Sequence, residues 1–276
     1  IYMYIRDMKT KLLLLILLVT KVIFTNAQMD DKFYFPKKDI RTNEWKKTTE
    51  FNFCVEKDTI NTVFLESEQK PKATIFLFHG AGGNISYYYP IAISLAKADF
   101  QVVMVDFRGY GKSTGVPTHK NIAEDGKIIF DKYTKMKKVK KLPIIIYGLS
   151  IGTQIATHIA KENQNKIRGL VLEGGMSSFG DIAGFYAPQY KDFFEKNFVN
   201  PYSSKEDIKS INKIPKLIIH SIEDKEVPIE QAKIVFNNAI EPKEFIEIKG
   251  GHMQGTKYEA PKIIDKINNM LKKNYR

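Results

Sequence analysis

The stretch that most constrains this chain is Pro143-Ile144-Ile145-Ile146-Tyr147-Gly148-Leu149-Ser150-Ile151-Gly152. A short apolar, β-branched run of this kind has the pattern of a buried parallel strand. Thr153 to Ala160 then reads as a helix, with no room for an ordinary loop between the two. Ser150 is therefore expected on a tight strand-to-helix turn, its hydroxyl held out at the carboxyl edge of a sheet. Gly148 and Gly152 fit that turn because a Cβ at either position would collide with the neighbouring strand or helix. Ile151 would offer a backbone N–H at a helix N-terminus, where negative charge is favoured. A GxSxG string alone arises often by chance; the strand before it and the helix after it give it meaning.

The rest of the chain supplies a sheet around that turn. Phe51, Phe53 and Val55 alternate with other residues, and Asn61 to Glu66 gives a second such stretch. Alternation predicts antiparallel edge strands. Short, largely apolar runs follow at 73–78, 100–107, 143–147, 168–172, 216–220 and 243–248, separated by helical stretches at 85–98, 119–138, 151–162, 229–239 and 258–273. Strands and helices alternating in this way predict an α/β domain: a mostly parallel, eight-stranded sheet with helices on both faces. The interval 176–214 lacks a clear strand and is rich in aromatics, so it reads as a small helical cap inserted above the sheet edge.

The 276 residues suffice for one large α/β domain, and 43% hydrophobic content is ordinary for a globular core. Net charge is +12. The lysines are scattered and not interleaved with aromatics, so no nucleic-acid surface is expected. The single cysteine, Cys54, excludes an internal disulfide and is expected to be a small buried hydrophobe. Met8-Lys9-Thr10-Lys11 precedes an apolar run, Leu12 to Val19, and Thr25-Asn26-Ala27 ends in small residues before Gln28. Those are the three parts of a secretory signal peptide. Residues 1–27 are thus read as a signal peptide with an upstream extension, Met8 as initiator, and 28–276 as the folded domain with its cap at about 176–214. Cleavage would leave an exported protein without stable membrane insertion; the rival is an uncleaved amino-terminal anchor.

A serine hydroxyl is a poor nucleophile at neutral pH and needs a base, an acid behind the base, and donors for the oxyanion. His252, in Lys249-Gly250-Gly251-His252-Met253, follows the last strand and is the candidate base. His79, His119, His158 and His220 fit less well, His79 suiting the bracing of a loop. Asp224, past the seventh strand and before a helix opened by Pro228, is the candidate acid. Glu223, Glu226 and the more distant Glu173 are its rivals; the short aspartate can be fixed most tightly to the imidazole. His79-Gly80-Ala81-Gly82-Gly83-Asn84 follows the third strand, and the N–H of Ala81 is expected to pair with that of Ile151 around the oxyanion. The polar residues of Asp106-Phe107-Arg108-Gly109-Tyr110-Gly111-Lys112-Ser113 are expected to brace neighbouring loops. Tyr87, Tyr88, Met176 and Phe179 are the candidate substrate pocket, forming an apolar wall that would suit an acyl chain.

Taken together, HGAGGN, DFRGYGKSTG, GLSIG, HSIEDKEVP and GGH, in that order from about Phe33 to the carboxyl terminus, resemble the α/β-hydrolase superfamily. Within it they are most similar to the serine-aminopeptidase-like hydrolases and the eukaryotic depalmitoylases. The resemblance implies Ser150 as nucleophile, Asp224 as acid and His252 as base, with no metal and no organic cofactor. It implies a serine hydrolase acting on a small-molecule acyl substrate, most simply a carboxylic ester. An acyl-thioesterase, a small-peptide serine peptidase and a non-catalytic binding protein on the same fold are the alternatives.

Overall fold

The structure is a computed structural model, and residues 29–272 are described. The chain divides into two units, Ile1–Phe35 and Pro36–Arg276. In the first, residues 29–33 make a helical turn, with Lys32 N–H donating to Met29 O and Phe33 N–H to Asp30 O. The signal-peptide reading falls on residues 8–27, outside the described residues. Among the described residues, no helix is long and apolar enough to cross a membrane.

The second unit carries an eight-stranded sheet. Its strands are β1 (Thr48–Val55), β2 (Asp58–Leu65), β3 (Ala73–Phe78), β4 (Phe100–Val105), β5 (Ile144–Leu149), β6 (Gly169–Glu173), β7 (Lys216–Ser221) and β8 (Lys243–Ile248). Their spatial order is β8-β7-β6-β5-β3-β4-β2-β1. β1 pairs with β2, and β2 with β4, antiparallel; every other pairing is parallel. This is the sheet predicted from the alternation of short apolar runs with helical stretches. The parallel strands β3, β4, β5, β6 and β7 are buried along their whole length, as β-branched runs covered on both faces must be.

The helices are α1 (Tyr89–Lys97), α2 (His119–Thr134), α3 (Gly152–Glu162), α4 (Phe179–Tyr186), α5 (Lys191–Asn197), α6 (Ser204–Asp207), α7 (Ile229–Asn238), α8 (Gly255–Tyr258) and α9 (Ala260–Lys272). Thr118 caps α2 with a reciprocal pair of hydrogen bonds to Asn121, so that helix starts where the sequence places it. Helices α4, α5 and α6 all fall within 176–214. Cys54 is exposed, contrary to the buried position expected. Its strand lies at the sheet edge, where Phe51 and Phe53 turn toward Tyr133 and the alternate residues Asn52 and Cys54 face solvent.

Register sets up the site. Phe78 lies opposite Gly148, Leu149 opposite Glu173, and Glu173 opposite Ile219. The carboxyl ends of β3, β5, β6 and β7 are therefore level, and the loops leaving them open on one side of the sheet.

Candidate active site

Ser150 sits between β5 and α3 with a φ of +53°, a conformation that L-residues avoid. The turn holds it there through hydrogen bonds on each side. Ser150 N–H donates to Glu173 O at 2.9 Å, and Thr153 donates to Ser150 O from both its N–H, at 3.0 Å, and its hydroxyl, at 2.6 Å. A Cβ on Gly148 would lie 2.6 Å from Gly152 O and 2.7 Å from Ala156 Cβ. One on Gly152 would lie 2.2 Å from Phe78 O. The two glycines are thus required by close approach, as the sequence suggested. Ile151 has helical backbone angles at the start of α3, whose first N–H groups carry partial positive charge.

Asp224 and His252 meet: His252 Nδ1 donates to Asp224 Oδ2 at 2.6 Å. The other aspartate oxygen, Oδ1, accepts the N–H groups of Glu226 and Val227, each at 2.9 Å. Burial alone would raise the Asp224 carboxyl, but the His252 bond and charge and those two N–H groups hold it below the ordinary value. Neither of its sequence rivals, Glu223 and Glu226, is the partner of His252 Nδ1, which Asp224 takes. Glu223 accepts Gly250 N–H at 2.8 Å, and Glu226 O accepts the Tyr186 hydroxyl at 2.6 Å. His220 Nε2 donates to Val227 O at 2.8 Å and so braces the aspartate loop.

The turn of Ser150 and the imidazole of His252 meet adjacent residues at the end of β6. Glu173 O takes the serine N–H, and a Cβ on the next residue, Gly174, would lie 3.0 Å from His252 Cε1. Nucleophile, acid and base candidates are thus gathered at the level carboxyl edge of β5, β6 and β7.

The loop after β3 is held from within the protein. Phe107 N–H donates to His79 Nε2 at 3.3 Å, which leaves the proton on Nδ1. Nδ1 donates to Gly80 O at 2.7 Å. Burial lowers the His79 imidazole to about 4, so it stays neutral and keeps this tautomer. A trans peptide sets its C=O and N–H in opposite directions, so the Ala81 N–H is turned away from the His79 ring. Tyr110 donates to Ala81 O at 2.6 Å, Tyr88 donates to Gly82 O at 3.0 Å, and Asp106 Oδ1 accepts Ile85 N–H at 2.8 Å. Arg108 ties the same region to Asp125, Asp58 and Glu56. The polar residues of 106–113 brace loops, as read from the sequence.

The four pocket candidates separate. Tyr88 lies on the loop itself, stacked on His79. The Tyr87 ring is covered by Arg41 at 3.5 Å and its hydroxyl bonds Asp39, so it holds the 36–47 arm. Phe179 is fully buried against His119 and Tyr202. Met176 is buried beside Thr153, Leu172 and Ser204. Phe179 and Met176 therefore fasten 176–214 to α2 and α3. Sequence reasoning named Glu173 only as a rival acid and missed its bonds to Tyr147 and Gly255; these contacts join segments far apart in the chain and leave no local pattern.

Among the described residues, no group of three or more His, Cys, Asp or Glu could hold a metal ion.

Comparison with known proteins agrees with this fold. Residues 69–210 match the family model described as serine aminopeptidase, S33. The protein Bem46 of Schizosaccharomyces pombe is 28% identical over 66% of this chain and 62% of its own length. The uncharacterized protein YfhR of Escherichia coli is 28% identical over 79% of this chain and 78% of its own. Among solved structures, an esterase of Pyrococcus furiosus superposes with a TM-score of 0.68 at 19% identity, covering 87% of this chain and 97% of that one. That likeness carries the fold alone.

Proposed function

The chain belongs to the serine aminopeptidase family of α/β-hydrolases, and on that premise we propose that it cleaves a carboxylic ester through an acyl-enzyme on Ser150. The observation that carries this reading is the Asp224–His252 hydrogen bond of 2.6 Å at the same sheet edge as a serine held at positive φ. In the proposed reaction His252 Nε2 takes the Ser150 proton as Oγ attacks the carbonyl carbon. Asp224 keeps the imidazole in the tautomer that exposes Nε2 and stabilises the imidazolium. The N–H groups of Ala81 and Ile151 hold the tetrahedral oxyanion. Collapse expels the alcohol, which takes the proton back from His252. Water, activated by His252, then attacks the acyl-enzyme and releases the carboxylic acid, freeing Ser150.

A fluorophosphonate probe tests the reading. It should label the wild-type protein at Ser150 and leave Ser150→Ala untouched, with p-nitrophenyl ester turnover lost in the same variant. An unlabelled wild type would leave a binding protein on a hydrolase fold. The family description favours one second reading, small-peptide cleavage, and a panel of esters, acyl-thioesters and aminoacyl amides ranks the substrates by kcat/KM. Export belongs to the same proposal: amino-terminal sequencing of the processed protein should begin at Gln28, and a retained leader would sink it.

A further inference from the structure

Glu173 ends β6 with its side chain 1% exposed. Asp224 already holds His252 Nδ1, so Glu173 is not the acid. Its own contacts are specific. Oε1 accepts Gly255 N–H at 2.7 Å, at the end of the loop that carries His252. Oε2 accepts the hydroxyl of Tyr147, itself fully buried on β5. Its backbone oxygen takes the Ser150 N–H at 2.9 Å, and Gly174 directly after it lies under the His252 ring. One residue thus ties the serine turn and the histidine loop to the same strand end.

No Lys or Arg ion pair to Glu173 occurs among the described residues. Burying a carboxylate without a cation is costly, and a neutral side chain of similar size would avoid that cost. A positive charge on His252, whose ring packs against Gly174, favours the ionised form of Glu173. We infer that Glu173 is a positioning residue for His252: its buried carboxylate anchors the histidine loop at Gly255 and places a second negative charge, beside that of Asp224, against the imidazolium. The inference rests on the proposed triad. Burial raises the Glu173 carboxyl, while the Tyr147 hydroxyl, the Gly255 N–H and the charge of His252 oppose the rise. The other ionisable groups around His252 are few. His220 on β7 is pushed down by burial, Tyr147 on β5 is pushed well up by it, and Glu223 accepts the Gly250 N–H.

The test is the pH dependence of p-nitrophenyl butyrate hydrolysis by the full chain, with the thermal midpoint measured in parallel. Glu173→Gln should lower kcat roughly tenfold with little change in KM. It should also move the acid limb of kcat/KM to lower pH by roughly half to one unit, because the imidazolium loses a nearby opposite charge. Tyr147→Phe removes one donor from the carboxylate, makes it easier to protonate, and should move the limb the same way by less. That variant serves alone should Glu173→Gln not accumulate. A limb that stays in place in the folded variants, or a rate loss that follows only the folded fraction, overturns the charge role of Glu173. A wild type that neither labels at Ser150 nor shows an acid limb overturns the triad itself, and the inference with it.

Discussion

Asp224 and Asp106 are two buried aspartates that the surroundings push in opposite directions. Asp224 accepts three hydrogen bonds and faces His252, so it is held ionised. Asp224→Asn should reduce turnover by about three to four orders of magnitude, since the imidazole tautomer is lost while the fold is kept. Turnover within about tenfold of wild type would remove Asp224 from the reaction. Asp106 is fully buried, and its Oδ2 has no hydrogen-bond partner among the described residues. Burial raises its carboxyl from the ordinary 3.8 to about 7. The fold therefore favours the protonated acid. Its contribution is present in full below the unfolded value and is lost as pH rises through about 7. Asp106→Asn carries no such charge, so its stability relative to wild type should improve from pH 6 to pH 8. Urea unfolding at those two values reads the difference, and a variant-minus-wild-type stability that does not rise with pH contradicts the argument.

At the scale of elements, the serine turn is decided by sterics. Gly152→Ala would drive a Cβ into Phe78 O and His79 O, both backbone atoms that cannot swing aside. It should cost about 4 kcal/mol or more, in the range where single substitutions are diagnostic. Gly82→Ala is the control: nothing lies within 4 Å of its added Cβ, and stability should change by about 0.5 kcal/mol or less. Equal losses in denaturant midpoints would show that the turn does not depend on that approach. This element was legible in the sequence because strand, turn and helix are contiguous and each has its own residue pattern. Asp224 and His252 were legible for a related reason: each follows a recognisable strand, and parallel strands send such loops to one edge. Tyr110 bonding Ala81, and Glu173 bonding Gly255, were not legible. The pairs are 29 and 82 residues apart in the chain, and only register brings them together.

Across the whole molecule, the proposed acyl-binding wall depends on which aromatics stay exposed. Met176 and Phe179 are buried in the base of 176–214, and Tyr87 is committed to the 36–47 arm. What the segment leaves exposed is a second set of aromatics: Phe185 at 45%, Tyr186 at 65%, Tyr190 at 57% and Phe193 at 58%. All four rings are largely exposed, and helix α5, which carries Phe193, buries no residue at all, so they add little to the folded core. The set is joined to the site where the Tyr186 hydroxyl bonds Glu226 O, two residues beyond Asp224. An apolar surface tied to the acid loop in this way suits an acyl chain better than a charged peptide. Medium-chain p-nitrophenyl esters should therefore exceed the acetate in kcat/KM, each methylene adding up to about 0.8 kcal/mol while it stays buried. Phe185→Ser with Tyr186→Ser should flatten that series without lowering the unfolding midpoint, because the rings are exposed. A wild-type series that falls steadily from acetate would place the wall elsewhere. A double variant that keeps the slope would free these aromatics from any role in choosing the substrate.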